Sequence, residues 1–480
     1  MQKLKNYING ELVDPIDGEF IDNFNPSNGQ VYSLIPNSNA KDVEIAIFAA
    51  GNAFPSWSTT PARERSNILL KISNAIDAKL DELAIAESRD NGKPEWLAKL
   101  VDIPRARDNF HFFGTGLMHF ASESHAMEDR ALNYTLRKPI GIVGCISPWN
   151  LPLYLFTWKI APAIAAGNCV VAKPSEITPM TAYMLSQICI DARLPPGVLN
   201  IIHGLGPNVG EPIVKDPRVK AISFTGGTVT GARIASIAGP MFKKMSLELG
   251  GKNPNVIFAD CDFDKMIETS LKSSFRNQGE ICLCGSRIFV EESLYDKFKE
   301  RFVAETKKLT IGDPKTQVDL GAIVSKQHFD KILSYVELAK EEGGTVLAGG
   351  NPVKLGGDLS EGWYIEPTII EGLDASCRTN QEEIFGPVVT IMPFKTEEEV
   401  LEYANSVKYG LSATIWTSDL TRAHRVAANI EAGIVWINCW LVRDLRTSFG
   451  GMKDSGVGRE GGWEVFKFFT EPKSVTIQLA

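Results

Sequence analysis

The sequence predicts an α/β protein of two Rossmann-like, doubly wound lobes with a small β extension. Three observations predict it. Short apolar strands alternate with helical stretches from Ile140 to Gly226, a second such series starts at Asn253, and SVTIQL (Ser474–Leu479) alternates like a strand. Strand–helix alternation implies parallel βαβ units. Two blocks of it imply two lobes with a cleft, where ligands gather at the carboxyl ends of strands.

Taken in order, the stretch Ser58–Asp90 spaces Ile68, Leu69, Ile72, Ile76, Leu80, Leu83 and Ile85 as a helix would, with charges on the opposite face. IGIVGCI (Ile140–Ile146), NCVVAKP (Asn168–Pro174), VLNIIHG (Val198–Gly204) and KAISFTG (Lys220–Gly226) read as buried strands. TAYMLSQICIDARL (Thr181–Leu194) reads as a helix that ends before Pro195. The second series runs through NPNVIFADC (Asn253–Cys261), RIFVEESLYDKFKERFVAET (Arg287–Thr306), TIWTSD (Thr414–Asp419) and GIVWINC (Gly433–Cys439). A strand at the chain end has few partners in its own lobe, so SVTIQL is expected to pair with another subunit.

Composition narrows the class. The 480 residues suit two or three domains at ~100–200 residues each. Hydrophobic content of 44% and charged content of 22% describe an ordinary soluble protein. A net charge of −8 disfavours nucleic acid or an anionic membrane as partner. No apolar run follows the N-terminal lysines, and no stretch of about 20 apolar residues occurs. Most of the 8 cysteines sit singly in apolar runs, as Cys145, Cys169 and Cys189 do, which fits buried thiols in a reducing, cytoplasmic compartment. None of the 6 histidines forms an HxxxH pair, so no metal is expected.

Several loops carry chemistry. GLGPNVG (Gly204–Gly210, with Gly206) approximates a dinucleotide fingerprint but has one residue too many between its later glycines, so plain loop punctuation reads equally well. FTGGTVTG (Phe224–Gly231, with Gly226 and Gly227) follows a strand and precedes a helix, where backbone N–H groups can hold an anion, or it is an ordinary tight turn. In KPSE, Lys173 and Glu176 are either ribose ligands or a solvated strand end. Asn150 in SPWNLP can donate to a developing oxyanion or satisfy its own loop. Glu248 in SLELGGKNP can act as a general base or face solvent. NQGEICLCGSR places Cys282 and Cys284 two apart. A metal site there lacks companion ligands, and a disulfide between them would be strained.

SPWNLP, VVAKPSE, FTGGT, ELGGK, NQGEIC, EEIFGPV and SFGGMKDSGVGRE stand together in the order and approximate spacing of the NAD(P)-dependent aldehyde dehydrogenases. The resemblance extends from NYINGE to the terminal strand. It implies Cys282 as nucleophile, Glu248 as general base, and the Asn150 side chain with the Cys282 N–H as oxyanion donors. It implies NAD as cofactor, held by Lys173, Glu176, Trp149, Gly206, Gly226, Gly227, Glu383 and Phe385. A serine is common in relatives where Gly227 stands. Glu460 matches a family acid sometimes proposed as a proton relay. Cys284 matches no functional position, and an extended segment would point it away from Cys282. The resemblance further implies a dinucleotide-binding domain of residues 1–119 and 140–249, a catalytic domain of 250–464, and oligomerisation strands at 120–139 and 465–480 of a homodimer or homotetramer.

WLVRDLRT and DIPRARDNF resemble the 2-aminomuconate and 2-hydroxymuconate semialdehyde dehydrogenases within that family. This implies that Arg443 and Arg105 hold a carboxylate at the far end of a small aldehyde, by planar bidentate recognition. Alternatively, Arg443 and Arg446 pair with Asp444 or Asp102 at the surface. Ser448 stands where those relatives usually carry proline. Trp158 and Tyr154 follow SPWN at spacings suited to a tunnel wall or to helix packing. A betaine-type or broad aliphatic enzyme is the alternative within the class, and a non-catalytic relative is the alternative outside it.

Overall fold

The computed structural model describes residues 1–479. Its first large sheet runs 456–457, 244–248, 219–225, 142–146, 169–173, 199–201, 6–8, 11–13 across its width. The five central strands are parallel. They start at Ile142–Ile146 in the middle, grow outward through 169–173 and 199–201, then return to the other side at 219–225. The strand order therefore reverses between Ile142–Ile146 and Val219–Thr225, and a crevice opens beyond the carboxyl ends of those two strands. Both strands are apolar and buried on both faces, as parallel strands covered by helices must be.

The second sheet has the order 345–348, 368–371, 388–394, 287–291, 254–257, 412–416, 434–437, parallel except at its first strand. The segments just before its strands at 254, 287, 388 and 412 bring Gly250, Cys282, Glu383 and Leu411 to cavities shared with the first sheet. The chain does not divide cleanly at residue 464, however. Gly456–Val457, expected in the second lobe, pairs antiparallel with Leu247 and Glu248 and edges the first sheet.

Two further expectations change. The helical stretch Ser58–Asp90 is two helices, Ala62–Ala78 and Leu80–Asn91. Lys79 leaves helical geometry (φ −108°, ψ 22°), and Gly92 ends the second helix in the left-handed region. The apolar spacing is continuous because both helices pack on one core. SVTIQL lies in Thr470–Gln478, which pairs along its full length with Ala131–Pro139 of the same chain, from Thr470 opposite Pro139 to Gln478 opposite Ala131. The intervening 330 or so residues hide that partner from a local reading.

Against the first sheet packs the helix Pro152–Ala165, buried almost throughout. It carries two buried polar anchors, Lys159 and Thr157. At the base of the second sheet Arg287 is buried, and its guanidinium donates to the carbonyls of Lys252 (2.9 Å), Tyr403 (2.8 Å) and Ala404 (2.9 Å). Those carbonyls belong to two separate segments, the one before Asn253 and the helix Glu397–Asn405, so one side chain ties both to its own strand. The Tyr403 carbonyl also accepts from Ser406 Oγ at 2.8 Å, so substituting Arg287→Met leaves the Lys252 and Ala404 carbonyls without this donor, at about 1–3 kcal/mol each where no water reaches them. A lower urea unfolding midpoint, from a loss of about 2 kcal/mol or more, is expected.

Candidate active site

Three cavities lie end to end along the cleft. One of about 570 Å³ is walled by Lys173, Glu176, Gly206, Gly226 and Gly227. A second of about 260 Å³ is walled by Trp149, Asn150, Cys282, Glu383 and Phe385. A third of about 380 Å³ is walled by Cys282, Glu248, Glu460, Arg105 and Arg443. The first two share Trp149, Gly226 and Gly227, and the last two share Cys282. Cys282 thus stands where a cofactor-sized channel meets a second pocket.

The turn before Cys282 explains its position. Asn277 (φ 55°), Gln278 (φ 56°) and Gly279 (φ 72°) all adopt positive φ. For Asn and Gln this is a strained conformation that persists only where surroundings over-determine it. Here Asn277 Nδ2 donates to the Asn150 and Glu280 carbonyls at 3.3 Å each. Gln278 accepts from the Gly321 N–H and donates to the Ala322 carbonyl, each at 3.2 Å. A side chain on Gly279 would collide with the Gly386 carbonyl. Beyond the turn, Asn253 Nδ2 donates to the carbonyls of Cys282 (2.7 Å) and Cys284 (2.9 Å), and Trp440 Nε1 to that of Leu283 (2.9 Å).

Cys284 donates its N–H to the Ile281 carbonyl at 3.0 Å, so this segment is a turn and not the extended strand the two-residue spacing suggested. Cys284 packs in the buried core, while Cys282 reaches the cavities. Burial, then the charges of Glu383 and Glu248, pushes the Cys282 thiol up to about 12, with Arg443 pulling the other way. It is a resting thiol at neutral pH, and its reactive thiolate needs a base.

Glu248 ends the strand Lys244–Glu248 and is buried, with neither carboxylate oxygen bonded to a protein donor. Burial, then the charge of Glu460, holds its carboxyl well above the usual carboxylate range. Glu460 itself accepts from Lys159 Nζ (2.7 Å) and Ser223 Oγ (3.0 Å), all three groups being buried. One carboxylate is therefore paired and its neighbour is not. Asn150 Nδ2 donates to the Glu280 carbonyl at 3.0 Å, fixing the amide plane with its second N–H uncommitted. The Asn150 carbonyl accepts from Lys93 Nζ at 3.1 Å, and Lys93 is in turn paired with buried Asp102 at 2.9 Å.

In the cofactor-sized channel, Lys173 Nζ donates to Glu176 at 2.7 Å. Gly227 caps the helix Thr228–Ala238 and faces open space, so its backbone can be approached closely. Gly206 is equally open, at the start of a short helical turn. Glu383 accepts from the Gly251 N–H at 2.8 Å and keeps its other oxygen beside Gly250. Phe385 is another residue with positive φ (64°), held because its carbonyl accepts from His328 Nε2 at 2.6 Å and its ring meets Trp149 edge-on at 5.2 Å. His328 and Lys331, which also wall this cavity, lie on a helix far along the chain, and no local motif marks them.

In the pocket beyond Cys282, Arg443 and Arg105 line the wall with Tyr154. Arg443 donates to the Tyr154 hydroxyl at 2.9 Å and lies over the rings of Phe449 (4.2 Å) and Trp158 (5.5 Å). Arg105 lies over the Tyr154 ring at 5.7 Å. Among the described residues neither arginine has a carboxylate partner. It is Arg446 that pairs with Asp444, and Asp102 pairs with Lys93, so the surface-pairing alternative does not hold for Arg443. Trp158 is not part of the pocket wall. It is buried behind Arg443, wedged edge-on against Phe113 and Tyr154. Four residues on from Tyr154 it shares that helix face but lies one turn deeper. Arg276 also reaches this pocket and was not foreseen, because it directly precedes NQGEIC and reads as part of the turn.

The fold, the crevice at the strand-order reversal and the thiol beside a carboxyl and an amide are those of a dehydrogenase acting through a cysteine. The sequence model of the Aldehyde dehydrogenase family matches residues 13–475, and the chain belongs to that family and is an oxidoreductase. It is 51% identical over 479 residues to a 2-aminomuconic semialdehyde dehydrogenase of Danio rerio, covering 99% of this chain and 98% of that one. It is 45% identical to a 2-hydroxymuconic semialdehyde dehydrogenase of Pseudomonas sp. strain CF600, covering both chains fully. A solved aldehyde dehydrogenase of Bacillus cereus, described as an NAD+ complex, superposes with a TM-score of 0.97 at 35% identity, over 100% of this chain and 97% of that one.

The two cysteines should separate on substitution. Cys282→Ser is expected to abolish aldehyde oxidation, and Cys284→Ser to retain most of it, as followed by NADH formation at 340 nm. Loss of activity in the Cys284 variant with its unfolding midpoint intact would contradict this assignment.

Proposed function

We propose that this enzyme oxidises a carboxylate-bearing semialdehyde, of the 2-aminomuconate or 2-hydroxymuconate kind, to the dicarboxylic acid with NAD. The observation that carries this reading is the pair Arg105 and Arg443, unpaired with any carboxylate, on the wall of the pocket that ends at Cys282. Two guanidiniums there attract a carboxylate and repel a quaternary ammonium, which argues against the betaine-type alternative. The similarity to semialdehyde dehydrogenases over the whole chain supports the same choice.

The channel residues fit NAD. Glu383 and the Lys173–Glu176 pair offer acceptors and donors to two riboses, Gly226 and Gly227 let a pyrophosphate approach a helix N-terminus, and Trp149 with Phe385 forms an aromatic wall. The Glu176 carboxylate would repel a 2′-phosphate, favouring NAD over NADP. When bound, the nicotinamide supplies the hydride acceptor and a positive charge that opposes the raised thiol.

The chain's own groups do the rest. Cys282 loses its proton toward Glu248 and adds to the aldehyde carbon, giving a thiohemiacetal. The free N–H of Asn150 and the backbone N–H of Cys282 stabilise the oxyanion, each such donor being worth about 10²–10³ in rate. Glu248 releases the thiol proton before the second half of the reaction; after oxidation to the thioester it takes a proton from water, which attacks and releases the acid. The Lys159–Glu460 pair next to it provides a route for that proton. No helix of the described residues is long and apolar enough to cross a membrane. We further infer a cytoplasmic homodimer or homotetramer. In that assembly 1–119 and 140–249 bind the dinucleotide, 250–464 carries the nucleophile, and 120–139 with 465–480 serves contact between subunits.

Two tests follow. Arg443→Ala should raise KM for 2-hydroxymuconate 6-semialdehyde about 10- to 100-fold, the weight of a charge-assisted hydrogen bond, and leave a small neutral aldehyde nearly unaffected. An unchanged KM for the semialdehyde would refute the carboxylate clamp. Second, the Glu248 carboxyl titrates above the ordinary range, so its ionised fraction still grows at pH values where a normal carboxylate is fully charged. Turnover should therefore rise with pH across that higher range. Glu248→Gln should be slow and lack this limb.

A further inference from the structure

Asn150 is held at its backbone as firmly as at its side chain. The helix Leu80–Asn91 ends at Gly92, whose left-handed φ of 87° turns the chain inward. A side chain on Gly92 would collide with the Ala322 carbonyl. Glu87, Asn91 and Lys93, all fully buried, bracket the loop that carries Asn150. Glu87 accepts from the Leu153 N–H at 3.1 Å and from Thr181 Oγ1 at 2.6 Å. Asn91 Nδ2 donates to the Trp149 carbonyl at 3.1 Å. Lys93 Nζ donates to the Asn150 carbonyl at 3.1 Å, where Asn277 Nδ2 also donates at 3.3 Å. Of these donors only Lys93 is charged. Its ammonium is held at 2.9 Å by buried Asp102, the last residue of the turn Ala98–Asp102, which walls the substrate pocket with Leu100 and Val101. Lys93 itself walls none of the three cavities.

A buried ion pair is a poor source of stability, because desolvation offsets the attraction between its charges. It is a better source of direction. An ammonium fixed by Asp102 donates to the Asn150 carbonyl from one place only. Direction matters here because the Asn150 amide works only when its uncommitted N–H points to where the oxyanion forms, and a misplacement of about 1 Å can cost about 10² in rate. The bond from Asn150 Nδ2 to the Glu280 carbonyl sets the plane of the amide, and the bond from Lys93 sets the peptide from which that amide hangs. We propose that Lys93, anchored by Asp102, is a positioning residue for the oxidation: it fixes the Asn150 backbone and so aims the side-chain amide at the oxyanion. This rests on the oxyanion reading of Asn150 given above and on no particular choice of aldehyde. The clamp arginines act on the acid end of one substrate class, whereas Lys93 acts on the carbonyl chemistry common to every aldehyde.

The test is a double-variant cycle on the full-length enzyme at saturating NAD, with 2-hydroxymuconate 6-semialdehyde and propanal as substrates and thermal unfolding midpoints measured throughout. Lys93→Met should lower kcat and kcat/KM together, about 10- to 100-fold for both aldehydes, the pattern of an interaction made only in the transition state. KM should stay within about threefold of wild type. Asn150→Ala alone should cost about 10²–10³ in kcat. In the Asn150→Ala background the further penalty of Lys93→Met should shrink to about threefold or less, since no amide is left to aim. Where Lys93→Met fails to fold because Asp102 stays buried and unpaired, Lys93→Met/Asp102→Leu removes both charges at once and carries the same cycle. A folded variant with wild-type kcat overturns the proposal, because the pair then serves the fold alone. A penalty of equal size with and without the Asn150 side chain overturns it too, and both results leave the oxyanion reading standing. Asn150→Ala at the wild-type rate overturns that reading and the proposal with it.

Discussion

The run of positive φ at Asn277, Gln278 and Gly279 is the constraint on which the site depends. It turns the chain out of the helix Phe263–Phe275 so sharply that Cys282 arrives at the junction of two cavities. Such a turn is unstable by itself, and the protein holds it from several sides. Asn150, Gly321–Ala322 and Asn253 belong to three separate segments, and each is hydrogen-bonded to the turn or to the thiol segment after it. The two lobes meet at this point because the turn needs partners from both.

Electrostatics follow from the same burial. Withdrawing Cys282 and Glu248 from water raises both groups, and the nearby carboxyls raise them further. Burial therefore favours the protonated form of both groups, and the thiol gives up its proton only to a base. The counter-charges are placed asymmetrically. Lys159 neutralises Glu460 and Lys93 neutralises Asp102, whereas Arg105, Arg276 and Arg443 have no acid of their own. A pocket with uncommitted guanidiniums is preorganised for an anion, since no internal ion pair has to break first.

The parallel strands were legible because their apolar runs are continuous, and the loops that follow them because Gly, Pro and Asn mark strand ends. The seven motifs were legible together because their order along the chain is itself information. What local spacing could not convey was pairing across long separations. The terminal strand finds Ala131–Pro139, and Gly456–Val457 joins the first sheet, over separations that no periodicity reports. The two-residue interval of Cys282 and Cys284 suggested an extended segment, but a bond between the Cys284 N–H and the Ile281 carbonyl makes it a turn. Trp158 has the spacing of a tunnel residue and the depth of a core residue, and depth is a property of the packed helix alone.

By itself the sequence determined the residue types at strand ends: a thiol, two carboxyls, an amide and glycines, in an order that identifies the family. It determined them because backbone conformation and chemistry at each loop are local. Only the tertiary structure decided which arginines lack partners, which oxygens of Asp102 and Asn277 are left over, and that His328 and Lys331 face the cofactor channel. Those are questions of who stands beside whom in a buried, low-dielectric space, and they are answered only when distant segments have closed around the site.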